Sequence, residues 1–148
     1  MRLAAKELLV LLPEFPQPWD VDVLCRDLAG ARGRPLTLHP VDLPEFPFGM
    51  WIDDGVGDRV LYRSSATGYH RDHIILHEIC HLLIARDGDP ATATRTTAPP
   101  GAGAHSAAEE ELAETFASLA LKHAGRLRPR DLSPVERRAA ELLGVARA

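Results

Sequence analysis

Several things that commonly give a small protein its stability or its partners are scarce in this sequence. Of its 148 residues only Cys25 and Cys80 are cysteines, far apart and in no C-x-x-C spacing. A disulfide framework is therefore not expected, and the pair is compatible with a reducing compartment. Aromatic residues are few, at 5%, while Ala, Leu and Arg dominate, which favours a helix-rich fold. There is no basic excess: 17 Lys and Arg stand against 21 Asp and Glu, a net charge of -4. That balance argues against direct nucleic-acid binding. The one basic cluster, Arg126, Arg128 and Arg130 with Arg137 and Arg138, reads as a solvated surface. Long hydrophobic runs are missing too. Leu8 to Leu12 is too short to span a membrane and follows Lys6 and Glu7. No A-x-A-like site comes after it, so a signal peptide is not expected and the chain is placed in the cytoplasm, off the membrane.

The length fits one domain, residues 1–148, and a domain of this size buries roughly 70% of its unfolded surface without covalent staples. Residues 2–12 have helical character, stopped by Pro13, Pro16 and Pro18. Asp20 caps a second helix with Val21, Leu24 and Leu28 on one face, ending near Gly30 and Gly33. Leu36, Leu38 and Val41 suggest a short strand. Residues 49–53 and 59–63 read as a hairpin around the turn residues Asp54-Gly55 and Gly57-Asp58, which tolerate positive φ.

Tyr69 to Arg86 is the strongest helix, with Ile74, Ile75, Leu76, Ile79, Leu82, Leu83 and Ile84 giving a broad apolar surface. Residues 90–105, rich in Ala, Thr, Pro and Gly, read as a mobile loop. Another helix runs from an N-cap at Ser106 to His123 or Ala124, ending at Gly125. Ser133-Pro134-Val135-Glu136 is a capping box opening a last helix over about 134–146. No internal repeat and no helix-turn-helix segment is present. The order, helices, a small antiparallel sheet, then helices, is an α+β domain with the sheet packed on the long helix.

Inside that helix, His77-Glu78-Ile79-Cys80-His81 spells H-E-x-x-H. Positions i and i+4 share a helix face, so both imidazoles can reach one metal ion. Two imidazoles and a carboxylate suit Zn2+, with a fourth position left for water. Glu78 is the expected general base for that water. The third ligand is expected on the following helix, where Glu110, Ala113, Glu114 and Ala117 form a stripe whose alanines permit close approach. Glu110 is preferred as ligand over Glu109 and Glu111. Glu114, one turn on, could accept a hydrogen bond from a ligand imidazole. His73, one turn before His77, is assigned an outer or surface role. Tyr62, Tyr69, His105 and His123 are all chemically able to stabilise an oxyanion, and the sequence does not choose among them.

These two helices, His77 to His81 and Glu110-Glu111-Leu112-Ala113-Glu114-Thr115-Phe116-Ala117, resemble the ImmA/IrrE family of metallopeptidases. The hairpin stretches Gly49 to Ile52 and Arg59 to Tyr62 also fit, and the resemblance covers about residues 20–122. It implies a zincin-like fold and a gluzincin-type zinc endopeptidase. Its implied partner is a helix-turn-helix repressor from a stress-response, mobile-element or toxin–antitoxin-like pair, which the enzyme cleaves. The alternative is a non-proteolytic binding module that uses the metal structurally or as a sensor. The chain departs from the family at Glu114, where Asn or Asp is usual. It departs again at Cys80, where Gly is usual; that thiol would be either a buried filler or a redox-sensitive neighbour of the metal.

Overall fold

The computed structural model describes residues 1–87, 105–126 and 134–143. Helix α1 covers Arg2–Leu9 and α2 Val21–Arg32; strands β1, β2 and β3 cover Leu36–Val41, Gly49–Asp53 and Asp58–Arg63. Helix α3 follows at Gly68–Asp87, α4 at Ala107–His123 and α5 at Pro134–Leu143. The α+β class expected from the sequence is the one observed.

Local chemistry sets several boundaries. Asp20 accepts hydrogen bonds from the backbone N–H of Asp22 (2.9 Å) and Val23 (3.3 Å), satisfying orphan donors at the start of α2. Gly33 ends that helix in the left-handed region, φ 66°, where a side chain would be strained. Ser106 caps α4 as expected, its Oγ accepting from Glu109 N at 3.0 Å. The helix opening the chain is shorter than its apolar pattern: it stops at Leu9, and Val10 lies exposed beyond it. The expected loop over 90–105 lies almost wholly outside the described residues, as do Ser133 of the capping box and the end of the last helix beyond Leu143. All described side chains of α5 are exposed.

The sheet is small and its order is β1-β3-β2. β2 and β3 form the expected antiparallel hairpin, with Trp51 opposite Val60. Asp54 closes the turn, its Oδ1 accepting from Val56 N and Gly57 N at 2.9 and 2.8 Å. Gly57 is required there for space rather than for positive φ. A Cβ on it would lie 2.8 Å from the carbonyl oxygen of Pro35. β1, however, pairs parallel to β3, so the sheet is mixed and not wholly antiparallel. Between β1 and β2 lie seven residues with Pro44 and Pro47, which disfavour a tight hairpin and carry the chain across to the far edge. Pro40 within β1 is tolerated because β1 is an edge strand.

α3 lies between the sheet and α4, packing on β2 and β3 on one side and on α4 on the other. Ile75, Leu76, Ile79, Cys80, Leu82 and Leu83 are all buried, so the helix is apolar on most of its circumference. Ala113, Phe116, Ala117, Ala120 and Leu121 of α4 complete the core, with Ala5 and Leu8 of α1 covering it. The C-terminal end of α3 is tied to the hairpin by charge. Buried Asp58 accepts from Trp51 Nε1 (3.0 Å) and Arg34 Nε (3.1 Å), while Arg86 pairs with Asp53 and Asp58. With this end and the sheet contact fixed, the polar face of α3 is turned toward α4.

Candidate metal centre

His73, His77 and His81 lie at i, i+4 and i+8 on α3 and form one stripe. Opposite them, α4 can come close because Ala113 and Ala117 have no bulk to hold it away; both are fully buried. The Ser106 cap starts α4 so that Glu109 and Glu110 occupy its first turn, with Glu114 one turn further.

Three side chains converge on one point. His77 Nε2 and His81 Nε2 are 3.3 Å apart, Glu110 Oε2 is 3.2 Å from the first, and Glu110 Oε1 is 3.0 Å from the second. A tetrahedral zinc with bonds of about 2.0–2.1 Å requires ligand atoms about 3.3 Å apart. The donor set therefore fits zinc in both type and spacing. Groups gathered this closely need either ring protons or a cation between them, and a divalent ion could serve all three at once.

Around this point the other assigned residues take defined positions. Glu114 Oε1 lies 2.8 Å from His77 Nδ1, close but not aligned on it as a hydrogen bond. Its other oxygen lies 3.0 Å from His73 Nε2, so the longer Glu at this position spans both imidazoles. These contacts, first with His73 and then with His77, hold its carboxyl well below the usual range. Burial disfavours a charged His77, but Glu114 and the neighbouring carboxylates outweigh it and raise the pKa. For His81 burial wins, and its pKa is lowered despite the hydrogen bond to Glu109.

Glu78 is buried beside the edge strand, where burial pushes its carboxyl up to about 7, a value suited to exchanging protons near neutrality. Gly49 of β2 passes directly over it. A Cβ there would lie 3.2 Å from Glu78 Oε2 and 2.6 Å from Ile74 Cγ2, so glycine alone lets the strand approach. Cys80 is fully buried, and burial raises its thiol pKa far above the ordinary range, so it acts as apolar filler.

Of the four groups left open for an oxyanion, His105 is brought to the metal face, its ring stacked on His81 at 3.8 Å. Tyr69 stacks on His73, Tyr62 lies under the Arg71 guanidinium, and His123 packs edge-on against Phe15. Sequence reasoning missed the contact between Glu109 and His81, 2.6 Å from Oε2 to Nδ1. The i, i+4 spacing of His105 and Glu109 signals only their own contact; the approach of Glu109 to His81 comes from the crossing of α3 and α4. Comparison with protein-family models, curated proteins and solved structures finds no match for this chain.

Proposed function

We propose that this chain is a zinc-dependent endopeptidase of narrow specificity, with His77, His81 and Glu110 as metal ligands and Glu78 as general base. The observation that carries this reading is the convergence of His77 Nε2, His81 Nε2 and a Glu110 carboxylate within 3.3 Å of one another, beside a buried Glu78. A purely structural site has no need of that glutamate, which favours hydrolysis over a passive binding role.

When bound, zinc would supply Lewis acidity, polarising the scissile carbonyl and lowering the pKa of an attacking water. Glu78 then accepts the proton of that water and returns it to the departing amine. The substrate is read as an extended peptide beside β2, because β2 is an edge strand and Gly49 brings it against Glu78. His105 is the best placed of the four oxyanion candidates, although Glu109 engages its Nδ1.

The resemblance to the ImmA/IrrE family suggests the substrate class: a helix-turn-helix repressor of a stress or mobile-element pair, met in the cytoplasm. No helix among the described residues is long and apolar enough to cross a membrane. The net charge of -4 leaves DNA binding to the partner.

The test begins with metal content of the purified chain and of His77→Ala and Glu110→Ala. One zinc per wild-type chain, lost in both variants, supports the centre; zinc retained without Glu110 overturns its ligand set. Wild type and Glu78→Gln are then each incubated with the repressor encoded beside the gene. Cleavage by wild type alone supports catalysis. An equal effect of both proteins on the repressor, without cleavage, supports the binding module instead.

A further inference from the structure

Glu109 is not among the proposed ligands, yet among the described residues it makes the closest carboxylate approach to these imidazoles. Its Oε2 lies 2.6 Å from His81 Nδ1 and 2.7 Å from His105 Nδ1. The His105 ring lies nearly parallel to His81, at an interplanar angle of 13° and a centroid distance of 3.8 Å. The side chains of His81 and Glu109 are 1% and 13% exposed, so water competes little for these contacts.

An ionised carboxylate can only accept hydrogen bonds, so the proton between Glu109 and His81 belongs on Nδ1 of the ring. Nε2 then carries the lone pair, and Nε2 is the atom that faces Glu110 and His77. Successive residues on α4, about 100° apart around the helix, thus serve the two nitrogens of one imidazole. His105 Nδ1 lies 2.7 Å from the same Glu109 oxygen, and its stacked ring leaves His81 little room to rotate.

We propose that Glu109, braced by His105, is a positioning residue for His81: it holds the ring in the Nδ1–H tautomer and aims Nε2 at the metal. This deepens the zinc reading and rests on it. Carboxylates in this position typically raise metal affinity roughly 10- to 100-fold. The rival use of the same three groups is a second metal site.

The experiment measures zinc affinity of the full chain by chelator competition, the cobalt(II) absorption spectrum, metal stoichiometry and unfolding of the metal-free protein. Glu109→Ala is expected to weaken zinc binding roughly 10- to 100-fold and to shift the cobalt bands. Glu109→Gln, whose amide oxygen still accepts from Nδ1–H, is expected to recover most of that loss, with metal-free unfolding unchanged from wild type. His105→Ala, which removes only the brace, should cost a few-fold.

Wild-type affinity in Glu109→Ala overturns the proposal, as does a Gln variant no better than Ala. Two zinc ions per wild-type chain, one of them lost in Glu109→Ala or His105→Ala, would overturn it in favour of a second site. Failure of the underlying reading looks different. In that case wild type binds no zinc, or Glu110→Ala keeps it, whatever Glu109 does.

Discussion

His81 and His77 stand one helical turn apart, and each faces a carboxylate backed by a further imidazole, yet the two arms differ in environment. On the inner arm the His81 and Glu109 side chains are 1% and 13% exposed, and their contact is an aligned hydrogen bond. On the outer arm Glu114 is 60% exposed and its approach to His77 Nδ1 is close but misaligned. The same chemical groups should therefore act with different strength. A hydrogen bond shielded from water keeps its electrostatic advantage, whereas an exposed one competes with solvent and salt. The inner arm is suited to fixing geometry, and the outer arm to tolerating rearrangement beside a substrate.

Glu78 belongs to neither arm and sets the scale. Glu78→Gln should lower peptide cleavage by about 10²- to 10⁴-fold with zinc content unchanged, measured as initial rates on a cleavable partner. A loss of zinc in this variant would mean that Glu78 supports the ligands rather than the chemistry.

Next in size is a pH effect on the metal-free chain. The Glu78 carboxyl rises from an ordinary value of 4.5 to about 7 on folding, so its protonated form is favoured in the folded state. Its favourable contribution is complete below pH 4.5 and is lost as pH rises toward 7. Glu78→Gln should accordingly match wild type in denaturant unfolding at pH 4.5 and exceed it at pH 8, by about 3 kcal/mol at most. Equal stabilities at pH 8 would show that the carboxylate is better solvated than its burial implies.

The two arms themselves separate in a direct contrast. Glu109→Ala should weaken zinc binding by roughly 10- to 100-fold. Glu114→Ala should cost less, and part of its cost should disappear at 1 M salt, where screening reaches about 3 Å. Equal losses with equal salt dependence, measured by chelator competition, would remove burial as the cause of the difference. The smallest effect is expected for the outer histidines: His105→Ala should cost more affinity than His73→Ala, and the reverse order would invert the comparison.

Much of this was legible along the chain. The caps at Asp20 and Ser106, the hairpin over 49–63 and the i, i+4 spacing of His77 and His81 are local features, and each appears where short-range chemistry puts it. Glu110 could be singled out because a stripe with Ala113 and Ala117 signals a close helix approach. The parallel pairing of β1 with β3 was not legible, since register between strands depends on where a proline-rich crossover lands. Nor was the Glu109 contact: adjacent glutamates on an exposed helix turn look alike until a neighbouring helix gives them different surroundings.

By itself, then, the sequence determined which residues share a helix face, where the caps at Asp20 and Ser106 open helices, and that two imidazoles and a glutamate stand ready on α3. These follow from backbone geometry, which repeats every 3.6 residues whatever lies nearby. Tertiary structure decided the rest. The packing of α3 between the sheet and α4 brought Glu110 to the two Nε2 atoms and Glu109 to an Nδ1, and laid Gly49 over Glu78. Those outcomes depend on the crossing of elements far apart in the chain, which is set by how Ala113, Phe116 and Ala117 fill the space against α3.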